Sequence, residues 1–341
     1  MAQRQVPGIV DGQYLALAVR TERPGSLDPG HRERAAMLGT IRGPVRFKEP
    51  LSFHTSLRIG GPAEFLIAPQ DIDDARHAVM FAQQEGLPVI VVGGGNNLLV
   101  ADRGVQAVVL MLQGILNRAQ LDGEEVVAGA GLALSELIRS AAAQGLGGLE
   151  ELAGIPGSVG GALVMNARSG GLALADACTA VYFLHPDGTL GEIRPTGGYL
   201  LRDVDLRSAV LLGCRLRLTR RPPLEIQRDI QRRMKLRRTS QPLALASAGY
   251  VWKQAGAEPV ERLIERAGLC GKRMNTAEIS AKCGNIIVNR GGATAADVAA
   301  LMEMMAETVE RRFGILLRPQ IRMLGFEAVP AETEHRELVA S

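Results

Sequence analysis

The segment GLEELAGIPGSVGGALVMNARSGG, residues 148–171, is the strongest indication of architecture in this chain of 341 amino acids. A simple bend of the backbone does not need so many glycines, whereas a planar cofactor that lies against bare backbone does. We therefore predict a cofactor-binding site here. The residues expected to form it are Gly154, Ile155, Pro156, Gly157, Ser158, Gly160, Gly161 and Asn166.

A second glycine cluster, VVGGGNNLLV, spans residues 91–100 and directly follows a buried strand. Successive glycines let backbone N–H groups point into one concavity, which suits a pyrophosphate. A plain turn after a strand explains the stretch equally well. It lacks the Lys and Ser/Thr of a P-loop and the spacing of a GxGxxG motif, which argues against an ATP-type or common NAD-type loop. The candidate residues are Gly93, Gly94, Gly95, Asn96 and Asn97.

Two shorter stretches have the same character. SLRIGGPAEF, residues 56–65, places Arg58 two positions before Gly60 and Gly61. EEVVAGAG, residues 124–131, is a predicted strand that ends in Gly129 and Gly131. Glycine at strand ends indicates close approach of the backbone to a neighbour or a ligand.

Composition bounds the class of protein. The chain is 46% hydrophobic and 22% charged, which is ordinary for a globular protein of two or three structural units. A net charge of +3 does not require a nucleic-acid partner. No apolar run reaches the roughly 18 residues that span a membrane, and the N-terminus lacks the features of a signal peptide. Four scattered cysteines argue against disulfide or zinc sites, so we expect no metal and a cytoplasmic location.

The pattern of elements divides the chain. Up to about residue 150, predicted strands and helices alternate, which indicates an α/β region. From residue 177 the pattern predicts mainly strands. Residues 218–242 are rich in arginine and predict either a basic binding strip or a solvated helix face with Ile226, Ile230 and Met234 as its core stripe. ATAADVAALMEMMAETVERRFG begins at Ala293, and Thr294 and Asp297 in it resemble a capping box.

Four blocks in order, HTSLRIGGPA, VVGGGNNLLV, GLEELAGIPGSVGGALVMNA and AEISAKCGNIIVN, resemble the UDP-N-acetylenolpyruvoylglucosamine reductase family, in its compact subtype. The similarity covers about residues 45–326. It implies an α+β fold: a two-lobed FAD-binding domain of the vanillyl-alcohol-oxidase (PCMH) type and a C-terminal α/β substrate lobe. We accordingly expect a flexible extension over residues 1–44, FAD-binding lobes at 45–112 and 113–217, a substrate domain at 218–326 and a tail at 327–341.

The resemblance also implies the chemistry. The glycine blocks, with Arg58, match the FAD-binding positions, and NADPH is the implied electron donor. In the family an arginine and a glutamate hold the charge that develops on the enolpyruvyl group, and a serine protonates it. The matching positions here are Arg202, Gln320 and Tyr250, so the arginine is kept whereas the glutamate and the serine are replaced. The implied substrate-binding residues are Arg168, Lys253, Gln254 and Asn285.

The replacements leave several functions open. The chain is expected to be a reductase of this type, with Tyr250 as a substitute proton donor, or a flavoprotein of the same scaffold with another substrate. A third hypothesis is a catalytically silent relative that binds FAD or a UDP-sugar, with Tyr250 as a wall of the pocket. In each case the partner is a UDP-sugar or another anionic small molecule, with no nucleic acid and no membrane. The chain is expected to be a monomer or a weak homo-oligomer.

Overall fold

The computed structural model describes residues 38–112, 116–194, 209–254, 256 and 258–326. Its strands are β1 (Val45–Pro50), β2 (Pro62–Ile67), β3 (Val89–Val92), β4 (Leu98–Val100), β5 (Val105–Met111), β6 (Ala119–Asp122), β7 (Glu125–Gly129), β8 (Leu146–Gly147), β9 (Arg168–Ser169), β10 (Leu172–Ala173), β11 (Cys178–Leu184), β12 (Leu190–Ile193), β13 (Val210–Arg217), β14 (Thr219–Arg220), β15 (Ala246–Tyr250), β16 (Arg273–Met274), β17 (Ala277–Ile279), β18 (Ile286–Asn289) and β19 (Arg322–Leu324). Its α-helices are α1 (Ile72–Gln84), α2 (Leu134–Ala143), α3 (Val159–Val164), α4 (Pro223–Ser240), α5 (Val260–Arg266) and α6 (Ala295–Phe313).

The first sheet has the strand order β1-β2-β5-β3, in which β2, β5 and β3 run parallel. Helix α1 begins after Asp71, whose side chain accepts a hydrogen bond from the Asp74 amide and caps the helix. Residues 38–44, assigned to the extension from sequence, contact this lobe: Leu38 is buried, and the Gly43 amide donates to the Asp74 carboxylate at 3.0 Å. Residues 1–37 lie outside the described part of the chain.

The second sheet is antiparallel, with the order β12-β11-β13-β7-β6. Helix α2 covers it with Leu134, Leu137 and Ile138, all buried. The two lobes share one hydrophobic core, since Phe65 of β2 and Phe183 of β11 belong to the same buried cluster. Packing is therefore continuous from the first sheet to the second.

The third sheet, β15-β18-β17-β16, is antiparallel and packs against α5 and α6. The predicted capping box of α6 is confirmed: Thr294 and Asp297 each bond the other's backbone amide. Strand β19 leaves this region and pairs in parallel with β4, so that Arg322 lies beside Leu98. The last described strand is thus built into the first lobe.

Helix α4 carries the arginine-rich segment. The predicted core stripe holds only in part: Ile226 is buried and Ile230 packs at the edge of the core, but Met234 is 37% exposed. The basic side is not simply solvated, because Arg221 pairs with Glu150 at 2.8 Å and Arg233 pairs with Glu151. These glutamates begin a 3-10 turn (Glu150–Leu152) against which the helix packs, and they supply counter-ions that the arginine pattern alone does not reveal.

Within the described part of the chain, no helix combines the length and the apolar character needed to cross a bilayer. The same residues contain no group of three or more His, Cys, Asp or Glu side chains placed to hold a metal ion.

Candidate functional site

Two of the predicted glycine loops touch. A Cβ atom on Gly94 would lie 2.9 Å from the Gly157 Cα atom, and one on Gly93 would overlap the Ser158 hydroxyl. Ser158 is itself held, because its hydroxyl accepts a hydrogen bond from the Gly161 amide at 3.1 Å and caps α3. Loop 93–97 and turn 154–158 therefore form one cradle of bare backbone, which larger side chains at these positions would fill.

The block around Arg58 joins this cradle to the third sheet. Ser56 donates from its amide to the Gly95 carbonyl at 3.0 Å and from its hydroxyl to the Ser247 carbonyl of β15 at 2.7 Å. Arg58 has a positive φ of 57°, and its side chain is exposed. The 129–131 turn joins from the other side, where the Gly160 amide donates to the Ala130 carbonyl at 2.8 Å. The residue between Gly129 and Gly131 thus contacts α3, which begins directly after the cradle.

Asn166 is the one predicted cofactor residue in this block that offers a polar side-chain atom without a partner in the described part of the chain. Its Oδ1 atom is buried and accepts no hydrogen bond. Its backbone has a positive φ of 45°, which few non-glycine residues adopt. A buried acceptor of this kind is costly unless a bound group donates to it. The backbone cradle and this orphaned acceptor together fit FAD, whose diphosphate accepts from backbone N–H groups and whose ring and ribityl chain carry donors.

Tyr250 ends β15 next to the cradle, because a Cβ on its neighbour Gly249 would lie 3.9 Å from the Asn96 carbonyl oxygen. The Tyr250 hydroxyl accepts a hydrogen bond from Gln241 Nε2 at 3.1 Å. Its ring packs with Cys283, Ile286 and Val288. Burial raises the pKa of Tyr250, so the phenol stays protonated at neutral pH. The hydroxyl proton is therefore available to a ligand.

Gln320 lies beside the same loop. Its backbone carbonyl accepts a hydrogen bond from Asn97 Nδ2 at 3.0 Å, and its backbone N–H donates to the Val251 carbonyl at 2.9 Å. The structure thus brings two of the three predicted catalytic residues, Tyr250 and Gln320, to the cofactor cradle. Arg202, the third, lies outside the described residues.

The prediction that Asn285 binds the substrate is corrected by the structure. Its side chain is fully buried, and its amide group clamps Trp252: Oδ1 accepts from the Trp252 amide and Nδ2 donates to the Trp252 carbonyl, both at 3.0 Å. Because both halves of the amide are used inside the protein, they are not available to a ligand. We assign Asn285 a structural role in place of the predicted substrate contact.

The other predicted substrate residues lie at the surface. Gln254 is exposed and holds the start of α5, where its Oε1 accepts from the Val260 amide at 3.1 Å. Lys253 is exposed, and its backbone amide donates to the Arg318 carbonyl. Arg168 is 53% exposed and lies 3.7 Å from Asp176. For these three residues contact with substrate stays a prediction.

The structure adds residues that sequence reasoning missed. Gln241 holds the Tyr250 hydroxyl, and Arg237, one turn earlier, donates from Nε to the Ala153 carbonyl at 3.0 Å and from Nη2 to the Ser169 hydroxyl at 3.1 Å. Both lie in the arginine-rich segment, whose many similar residues gave no reason to single out these two. The only available signal was their position just before β15 in the sequence.

Comparison with known proteins agrees with this arrangement. Residues 63–194 match the model of an FAD binding domain, and residues 241–324 match the model of the C-terminal domain of UDP-N-acetylenolpyruvoylglucosamine reductase. The chain is 38% identical over 286 residues to UDP-N-acetylenolpyruvoylglucosamine reductase 2 of Symbiobacterium thermophilum, covering 83% of this chain and 93% of that protein. It is 37% identical over 294 residues to the reductase of Geobacter metallireducens, covering 86% and 98%.

A solved structure is similar over the same length. The crystal structure of the reductase (MurB) from Thermus caldophilus matches with a TM-score of 0.70 and 34% identity, over 83% of this chain and 99% of that one. The expected fold, an FAD-binding domain followed by the C-terminal domain of these reductases, is confirmed. Relatives above 30% identity over more than two thirds of both chains, together with the two matched domains, place this chain in the UDP-N-acetylenolpyruvoylglucosamine reductase family.

Proposed function

We propose that the protein is an FAD-dependent oxidoreductase that reduces UDP-N-acetylglucosamine enolpyruvate to UDP-N-acetylmuramate, with NADPH as electron donor. The reaction supplies a precursor of peptidoglycan. The observation that carries the proposal is the meeting of three parts: the bare cradle at Gly94 and Gly157, the hydroxyl of Tyr250, and Gln320 beside Asn97. This arrangement supports a cofactor site with a proton donor beside it.

We propose a role for each of these residues. FAD, when bound, supplies the hydride chemistry of the reduction. Backbone amides of loop 93–97 would hold its diphosphate, and the buried Asn166 Oδ1, which has no partner among the described residues, would accept from one of its donors. Tyr250 would give a proton to C2 of the enolpyruvyl group, the neighbour of the carbon C3 that takes up the hydride. Gln320 would offer a neutral hydrogen bond where the family carries a carboxylate.

Two further expectations belong to this proposal. Arg202, which lies outside the described residues, is proposed to bind the carboxylate of the enolpyruvyl group. Arg168 and Lys253, both exposed, are proposed to attract the anionic UDP-sugar as it approaches. Since Tyr250 is a buried phenol whose pKa is raised, we propose that the protonation step is slow.

The proposal also covers the location, the oligomeric state and the domain limits of the protein. A UDP-sugar and NADPH are both cytoplasmic compounds, so we propose a cytoplasmic protein, active as a monomer or weak homo-oligomer. We retain the limits 45–112, 113–217 and 218–326 for the two FAD lobes and the substrate domain as a proposal. The pairing of β19 with β4 shows that residues 322–324 contact the first lobe.

The test is an anaerobic reaction in two halves. The purified protein is examined for a flavin spectrum, reduced with NADPH, and then mixed with UDP-N-acetylglucosamine enolpyruvate while reoxidation of the flavin is followed. Reoxidation on mixing, with formation of UDP-N-acetylmuramate, is the expected result. A flavin that is reduced but ignores this substrate points to another acceptor. A protein that takes up no FAD, even on reconstitution, would leave a binding module in place of an enzyme.

A further inference from the structure

The arginines of the segment 218–242 that face the second lobe differ in their charge partners. Arg221 lies 2.8 Å from Glu150 and 3.0 Å from Asp229, and Arg233 pairs with Glu151. Arg237 also faces this lobe, but no carboxylate of the described residues lies within ion-pair distance of it. Its two hydrogen bonds go to neutral oxygens, the Ala153 carbonyl and the Ser169 hydroxyl.

Arg237 is held in place by its surroundings. Its aliphatic chain lies on Gly154, where a Cβ atom would be only 2.7 Å from the Arg237 Cδ atom. Gly154 has a positive φ of 80° and belongs to the cradle turn, so the arginine rests directly on the predicted cofactor site. Burial lowers the pKa of the Arg237 guanidinium, which Arg233 reinforces by repulsion. The side chain is thus a fixed, half-buried cation without a compensating anion among the described residues.

The same helix end holds Tyr250. The Gln241 amide donates to the Arg237 carbonyl at 2.9 Å, and the Gln241 side chain donates to the Tyr250 hydroxyl at 3.1 Å. Burial raises the pKa of Tyr250, and the charge of Arg237 opposes a part of this rise, so the two groups are near enough to interact. A guanidinium and a phenol O–H, both donors, therefore converge beside the cradle.

A partly buried charge is costly unless it is paired, and a guanidinium matches the planar oxyanions of carboxylates and phosphates. Resting on the proposed function, we propose that Arg237 is a substrate-binding residue that, together with Tyr250, holds an oxyanion of the UDP-sugar next to the cofactor cradle. The oxyanion is the enolpyruvyl carboxylate or the diphosphate, and the two are separated by the experiment below.

The experiment titrates the flavin-loaded protein with two ligands and follows the flavin absorbance. UDP-N-acetylglucosamine enolpyruvate carries both the carboxylate and the diphosphate, whereas UDP-N-acetylglucosamine carries only the diphosphate. Arg237→Gln is compared with Arg237→Lys and with the control Arg238→Gln, which removes the same charge from the exposed neighbouring residue. Far-ultraviolet circular dichroism and flavin content confirm that each variant is folded.

We expect Arg237→Gln to weaken binding of the enolpyruvyl ligand about 10- to 100-fold, which is typical for loss of a charged hydrogen bond. Arg237→Lys should recover part of this loss, and Arg238→Gln should stay within about twofold of the wild type. Loss for the enolpyruvyl ligand alone identifies the carboxylate, and loss for both ligands identifies the diphosphate. Unchanged affinity for both ligands in Arg237→Gln overturns the inference while leaving the proposed function intact.

A wild-type protein that binds neither UDP-sugar would refute the proposed function instead. Inorganic phosphate then serves as the probe, with the melting temperature as readout. A rise in melting temperature with phosphate that is kept in Arg238→Gln and lost in Arg237→Gln still supports an oxyanion site at Arg237. The same rise in all variants, or none in the wild type, would overturn it.

Discussion

At the residue scale, Tyr250 decides whether the candidate site has a proton donor. Its ring is larger than the serine that it replaces, and Cys283, Ile286 and Val288 accept it in a small apolar cluster. Gln241 satisfies the hydroxyl oxygen and leaves the proton to a ligand. The environment therefore keeps a phenol donor in place, although burial makes it a weaker acid.

Replacing Tyr250 with Phe removes this proton while keeping the ring. We expect reoxidation of the reduced flavin by the enolpyruvyl substrate to slow by about 100-fold or more, as for loss of a general acid. Reduction by NADPH should be unchanged, because that half-reaction does not need the proton donor. Stopped-flow absorbance measures both steps.

Tyr182→Phe is the matched control, since Tyr182 is a buried tyrosine whose hydroxyl accepts from Arg215 in the second sheet. It should reoxidise at the wild-type rate. Equal reoxidation rates in wild type and Tyr250→Phe would show that Tyr250 is a wall of the pocket.

The cysteines give a second prediction at this scale. Burial raises the pKa of the Cys283 thiol to about 11, so at pH 8 about one molecule in a thousand carries the thiolate there. Cys178 and Cys214 are also buried, whereas Cys270 is half-buried. Iodoacetamide labelling of the native protein at pH 8, read by mass spectrometry, should modify Cys270 first. Cys283 labelling should rise about tenfold per pH unit, because the thiolate fraction grows by that factor below the pKa. Faster labelling of Cys283 than of Cys270 at pH 8 would contradict this picture.

At the element scale, α6 has two caps. The first is local: the capping box of Thr294 and Asp297. The second comes from the first lobe, where the Asp102 carboxylate accepts from the amides of Ala295 at 2.8 Å and Ala296 at 3.1 Å. A carboxylate at a helix N-terminus satisfies free amides and complements the helix dipole. The cap thereby fastens the C-terminal region to the FAD-binding lobe.

Asp102→Ala should remove the second cap and lower the free energy of unfolding by about 1–2 kcal/mol, the usual cost of losing a cap. Urea denaturation followed by circular dichroism measures it. Glu303→Ala, on the exposed face of the same helix, should change stability by less than about 0.5 kcal/mol. Similar losses in the two variants would mean that the Asp102 contacts add nothing beyond the capping box.

At the scale of the whole molecule, the last described strand packs against the first lobe. Strand β19 pairs with β4, the Arg322 amide donates to the Asn97 carbonyl at 3.0 Å, and Arg103 donates from Nε to the Gly325 carbonyl at 2.8 Å. Since β4 follows the glycine loop directly, the C-terminal strand supports the cofactor cradle from outside. We therefore expect FAD affinity to depend on contacts between residues more than 200 positions apart along the chain, such as Asn97 and Gln320.

Two truncations test this link. A chain ending after Phe326 lacks the predicted tail, whose residues 327–341 lie outside the described part, and should keep its melting temperature and FAD affinity. A chain ending after Ile321 also loses β19, and its FAD affinity should fall about tenfold or more, because several backbone hydrogen bonds of roughly 1 kcal/mol each disappear. Calorimetric titration of the apoprotein with FAD compares them. Equal affinities would separate β19 from the cofactor site.

Much of the fold was predictable because it is local. The Thr294 box of α6 and the strand before Gly93 depend on neighbouring residues. In the candidate site, Gly94 lies against Gly157, and Gly249, the neighbour of Tyr250, lies near Asn96. The roles that the resemblance implies for these residues stay predictions. Asn285 and Met234 were misjudged, because burial depends on what the rest of the chain packs against them. No pattern of nearby residues contains that information.

The sequence by itself determined the glycine loops, the helix caps and the replacement of the family's serine and glutamate, since each is a matter of residue identity and short-range backbone geometry. The tertiary structure decided which side chains meet: Asn285 with Trp252, Gln241 with Tyr250, Arg237 with Gly154, and Asp102 with α6. Most of these partners are distant along the chain, so their contacts arise from packing of the lobes. Packing also left Arg237 without a carboxylate among the described residues, and from that we infer its part in binding the substrate.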